Sequence, residues 1–141
     1  MTNVEVTGSA VPRFTRREIA EFTRTVLLTL EKIDRLERRI GEVSIAFVDD
    51  EAMTGLNRKF RRKNKTTDVL TFAGDDTFLG DIVISIDQAR RQSVDEKHSL
   101  ATEVRYLILH GILHALGYDH ETDQGEMNSL ELEVRSLVGL R

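Results

Sequence analysis

Apolar and polar positions alternate in a way that divides the chain into short elements. Val4 to Thr7 fits either a short strand or an unstructured start. After the only proline, Pro12, the run Thr15-Arg16-Arg17-Glu18 has the form of a capping box, which predicts a helix start. Ile19, Phe22, Val26, Leu27 and Leu30 then recur at helical spacing and predict one buried face, with Ile33, Leu36 and Ile40 extending the stripe after a break. Gly41 closes this region, and Val43 to Val48 reads as a strand. Asp49 and Asp50 are placed to cap a helix from Glu51 to about Phe60, with Met53, Leu56 and Phe60 expected inward.

Thr67 to Phe72 and Asp81 to Ile86 predict two further strands on either side of the turn-like Ala73-Gly74-Asp75-Asp76. Ile82, Ile84 and Ile86 alternate with Asp81, Val83 and Ser85, so one face of the second strand is expected in the core. A short helix over Asp87–Val94 follows, then a helix over Glu103–Leu116 whose Val104, Leu107, Ile108 and Leu109 call for burial. Glu126 to Val138 is a closing amphipathic helix with Met127, Leu130, Val134 and Leu137 on one side. The expected class is α+β: a small mixed sheet of three to four strands flanked by helices.

At 141 residues, with 40% hydrophobic and 31% charged positions, one soluble domain over residues 1–141 is expected. A net charge of −4 excludes a uniformly basic nucleic-acid binder but leaves local patches open. The absence of cysteine rules out a disulfide framework and a thiolate zinc site. No apolar run has the length of a membrane span, and the start MTNVEVTGSA lacks a signal pattern, so a cytoplasmic location is expected.

The chemistry concentrates in Leu109–Glu121, LHGILHALGYDHE, which holds three of the four histidines. His110 and His114 are four residues apart, which on a helix puts them on one face roughly 5–6 Å apart at Cβ. Gly117 stands where a helix often ends in a left-handed glycine, and a turn there brings His120 back toward the pair. Three imidazoles with no fourth side chain to close the site describe a catalytic zinc centre with an open position, or a centre for another late divalent ion. Glu103 shares the His110 face and is either a carboxylate partner of a ligand imidazole or half of a surface ion pair. Asp119 either orients a ligand or, the favoured reading, stabilises the turn. Glu121 is either a proton acceptor at the cleft or, the favoured reading, an exposed carboxylate; Met127 reads as core and His98 as a surface residue near the next helix start.

Arg58 to Lys65, RKFRRKNK, gathers six cations in eight residues of an acidic protein. Such a run is often only a solvated helix end. Next to a hydrolytic metal it points to a phosphate-bearing substrate, with Arg61 and Lys65 favoured to face the site. Metalloproteases of the HExxH kind carry a glutamate after the first histidine, whereas this chain has Gly111. Peptide hydrolysis needs that base, while phosphodiester cleavage depends more on neutralising phosphoryl oxygens. Metal hydroxide and a ribose 2′-hydroxyl both remain open as nucleophile.

His110-Gly111-Ile112-Leu113-His114-Ala115-Leu116-Gly117-Tyr118-Asp119-His120 matches the HGxLHxxGYDH signature of the YbeY family, the bacterial endoribonucleases of rRNA maturation. Two further stretches agree, Phe60–Phe72 and Leu79–Ser85, and the resemblance extends from about Gly41 to the end. It implies a single-strand-specific, zinc-dependent endoribonuclease acting on rRNA, with the small ribosomal subunit or its assembly factors as partners. It also implies a metzincin-like zinc helix, His110, His114 and His120 as ligands, and Arg61 as the functional arginine. The chain departs from the family pattern at Arg62, where a glycine is common, and at Thr66, where a proline is common, so the path of that loop is left open. Two other functions draw on the same residues. One is a ribosome-assembly binding module whose zinc holds the C-terminal fold together; the other is a metalloprotease, disfavoured by Gly111.

Overall fold

The computed structural model describes residues 1–140. Its elements are β1 (Asn3–Gly8), α1 (Arg16–Lys32), β2 (Glu42–Val48), α2 (Asp50–Arg61), β3 (Val69–Ala73), β4 (Phe78–Ser85), α3 (Ile86–Asp95), α4 (Leu100–Ala115) and α5 (Glu126–Leu137). The predicted capping box is present: Thr15 accepts from the Glu18 amide at 3.1 Å and Glu18 accepts from the Thr15 amide at 3.0 Å. Ser99, unremarked in the sequence, caps α4 by accepting from the Thr102 amide, so that helix starts a turn earlier than its apolar stripe suggests.

The strands form one mixed sheet in the order β1-β2-β4-β3, parallel except for the antiparallel β3–β4 pair. This is the expected α+β class, with four strands. The larger core lies on one face, where Val43, Ile45 and Phe47 of β2 and Ile82 and Ile84 of β4 meet α1, α4 and α5. The other face carries a smaller cluster of Met53, Leu70 and Val83 beneath α2. Both faces of β4 are therefore covered, and the expectation of a single core side is corrected: Val83 is buried too, and Ile86 opens α3.

Two apolar positions expected inward face solvent. Phe60 is 54% exposed: its ring meets Phe72 of edge strand β3 edge to face and is otherwise largely open to solvent. Leu137 likewise projects from the end of α5, while Met127, Leu130 and Val134 are buried. No helix among the described residues is long and apolar enough to cross a membrane.

Helix α4 lies tight against β4. A Cβ at Gly111 would stand 2.6 Å from Cγ2 of Ile82, which is fully buried. Overpacking of that kind costs about 1–3 kcal/mol. The glutamate of an HExxH sequence thus has no room at this position.

Candidate metal centre

Helix α4 delivers the first two histidines and its C-terminus delivers the third. The Gly117 amide donates to the His114 carbonyl at 2.9 Å and the Tyr118 amide to the Leu113 carbonyl at 3.1 Å. These are the two bonds of a Schellman motif, which needs a left-handed residue, and Gly117 supplies φ 103°. The chain reverses there. The Asp119 carboxylate accepts from the Glu121 amide at 3.0 Å, and its carbonyl accepts from the Asp123 amide at 3.0 Å, so Asp119 stabilises the turn.

His110, His114 and His120 come together in consequence, with ring centroids 4.7, 5.6 and 5.8 Å apart. One ring nitrogen from each lies within 4.8 Å of the others, close enough to bind a metal ion. Two nitrogens at tetrahedral positions on one ion stand about 3.3 Å apart, so the widest spacing in the trio has at most about 1.5 Å to close. The donor set fits a late divalent ion. Burial pushes the His114 pKa below its ordinary 6.5, and His110, His120 and Arg61 add to the effect against an opposing Asp119. A neutral imidazole is the form that ligates, so this environment favours binding.

The trio opens into a cleft of about 410 Å³. Edge strand β3 forms one wall through Val69, Thr71 and Ala73; Asp119, His120 and Glu121 lie on the other side, and Arg61 reaches in from the end of α2. Glu121 is exposed, as expected. Of the two cations favoured from charge, Arg61 lines the cleft and Lys65 does not.

The loop between α2 and β3 is tied down from within. Asp50 accepts from Thr66 and Ser85, both at 3.0 Å, and pairs with Arg91 at 2.7 Å. Burial alone would raise the Asp50 pKa; the hydrogen bonds from Arg91, Ser85 and Thr66 outweigh it and hold the carboxyl below its ordinary 3.8. Asn57 donates to the Lys65 carbonyl at 2.9 Å, and Arg58 donates to Asn64 at 3.0 Å. Both departures from the family pattern fall in this loop. Arg62 adopts φ 57°, a left-handed position that costs a non-glycine residue about 1–2 kcal/mol. Thr66 supplies a hydroxyl to Asp50 that a proline lacks.

Glu103 requires a correction. It accepts from His98 at 2.6 Å and from Gln92 at 2.8 Å, not from a ligand histidine. Seven helical residues do return to the same face, but they also climb about 10.5 Å, beyond the reach of the two side chains. The surface-pair alternative fails as well, since Glu103 is buried, and His98 is half-buried against it. The carboxylate that does meet one of the three clustered histidines is Glu131 of α5, 3.1 Å from Nδ1 of His110. No spacing rule links residues 21 apart; the available signal was an acidic side chain beside the Met127–Leu130–Val134 stripe.

Residues 6–139 match the family model described as Endoribonuclease YbeY. The chain is 50% identical over 101 residues to Endoribonuclease YbeY of Koribacter versatilis, covering 71% of this chain and 66% of that protein. It is 43% identical over 124 residues to that of Carboxydothermus hydrogenoformans, covering 84% of each, and 37% identical over 126 residues to that of Acholeplasma laidlawii, covering 86% and 92%. The solution structure of TM1509 from Thermotoga maritima superposes with a TM-score of 0.62 over 96% of this chain and 88% of that one; at 23% identity it speaks for the fold alone.

Proposed function

The chain belongs to the endoribonuclease YbeY family, and on that premise we propose that it is a single-strand-specific, zinc-dependent endoribonuclease of rRNA maturation and small-subunit quality control. Residues 1–141 are read as one such domain, working in the cytoplasm on single-stranded rRNA, with the small ribosomal subunit or its assembly factors as partners. The observation that carries this reading is the convergence of three imidazoles and one guanidinium on a single cleft.

His110, His114 and His120 would hold the ion through ring nitrogens, and imidazole donors suit zinc. When bound, such an ion polarises a phosphoryl oxygen and lowers the pKa of water toward ~7. With Nδ1–H of His110 donating to the Glu131 carboxylate, the tautomer is fixed and the Nε2 lone pair is left for ligation. Arg61, which lines the cleft, would grip the scissile phosphate through paired N–H donors and stabilise the charge that grows on its oxygens. Gly111 leaves no general base beside the first histidine, which favours a phosphodiester over a peptide bond.

The test is metal analysis of purified protein alongside cleavage of single- and double-stranded RNA with and without chelator. Expected are one zinc per chain, chelator-sensitive cutting of the single strand, and an Arg61→Ala variant that keeps its metal but loses activity. Protein that holds metal and RNA but cuts nothing would be an assembly module instead.

A further inference from the structure

Phe60 is the only exposed phenylalanine among the described residues, although its spacing from Met53 and Leu56 marks it for the core. Its neighbours do not explain such a position by solubility. Lys59 lies over the ring at 5.3 Å from the centroid, Arg61 follows it into the cleft, and Arg62, Lys63 and Lys65 complete an exposed cationic loop. The ring is also held in place: Phe72 meets it edge to face, with centroids 5.0 Å apart at 74°. Phe72 lies on β3 between Thr71 and Ala73, both of which line the cleft. Phe60 thus sits across one edge strand from the cleft that the histidines line, next to Arg61 in the chain.

A fixed aromatic ring among cations matches the chemistry of single-stranded nucleic acid, whose backbone seeks the charges and whose unpaired bases seek a flat apolar surface. We propose that Phe60 is a stacking platform for an unpaired base of the RNA strand whose phosphate Arg61 holds, the base lying outside the cleft across β3 from His110 and His114. The inference rests on the nuclease reading for its substrate and gives the single-strand preference a physical cause. In a duplex each base is already stacked and paired, so only an unpaired one offers its face to the ring.

The experiment compares two short single-stranded oligoribonucleotides, one intact and one carrying abasic residues on the same sugar–phosphate backbone. Binding of metal-loaded protein to each is followed by fluorescence anisotropy, and cutting of the intact strand is measured in parallel. Wild type should bind the intact strand about tenfold more tightly than the abasic one, in line with measured base–aromatic stacking. Phe60→Leu, which keeps an apolar contact with Phe72, should bind the two alike, and Phe60→Trp should restore the preference. Equal binding of both strands by wild type, binding of neither, or an unchanged preference in Phe60→Leu overturns the proposal. The wild-type comparison needs no variant to fold. The parallel cleavage assay reports separately on the nuclease reading, which fails if the intact strand is bound but never cut.

Discussion

A histidine–carboxylate pair lies near each end of helix α4, with one member of each pair on the helix, and the two pairs do opposite things. At the N-terminal end, His98 and Glu103 stand 2.6 Å apart and Gln92 takes the second carboxylate oxygen, so the group is closed on itself. At the C-terminal end, Glu131 takes only one nitrogen of His110, at 3.1 Å, and the ring joins two further imidazoles at a cleft. The first arrangement satisfies buried polar atoms; the second leaves ligand atoms facing a space. A histidine beside an acid is therefore not in itself a sign of function. What separates the pairs is convergence, since a metal site needs several donors aimed at one point and room beside it.

Substitutions at the two ends should separate along that line. The largest effect is expected from His114→Ala, which removes one of the three imidazoles proposed to hold the metal. Metal affinity should fall by more than about 100-fold, beyond the range for groups that only support a ligand, in a competition titration against a zinc chelator. Retention of stoichiometric metal in that variant would dissolve the distinction between the ends. Next is Glu131→Ala, expected to weaken metal binding about 10- to 100-fold, with Glu131→Gln intermediate because its amide oxygen still accepts from Nδ1. Nitrogen-15 shifts of His110 in metal-free protein should show the tautomer becoming mixed; an unchanged tautomer would remove Glu131 from the site.

Glu103→Ala should behave in the opposite sense. It leaves His98 and Gln92 without their acceptor and is expected to cost about 1–3 kcal/mol of stability in urea unfolding, with metal affinity unchanged. A loss of metal in this variant would join the two ends into one system. The smallest effect is the pH dependence of the metal-free fold. Burial holds the His114 pKa below 6.5, so the unfolded chain takes up that proton first on acidification. The His114 contribution is thus fully present above pH 6.5 and declines as pH falls from there toward the folded-state value. Thermal unfolding across that window, compared between wild type and His114→Ala, should show a shallower decline in the variant.

Much of the site was legible from local spacing. The four-residue step from His110 to His114, the glycine at 117 and the return of His120 describe a motif whose bonds all close within a few residues, and the structure brings those three rings together. The Thr15–Glu18 capping box was readable for the same reason. The readings that needed correction turned on distance through space. Glu103 was aligned with His110 on the helix face, but rise along the axis separated them. Phe60 kept the phase of an inward position but lies over the edge strand β3, which covers only part of its ring. Lys65 and Arg61 carry the same charge four residues apart, and the left-handed turn at Arg62 lies between the one outside the cleft and the one inside it.

By itself, then, the order of residues determined the elements, the α+β class, the histidine trio and the family resemblance, because each depends on interactions spanning one or two helical turns or a strand's alternation. Tertiary structure alone decided the strand order β1-β2-β4-β3, the placement of β3 as the cleft wall, the pairing of Glu131 with His110 and the exposure of Phe60. Those depend on which surfaces meet when helices and sheet pack, and contacts between residues far apart in the chain leave no fixed spacing for a sequence to display.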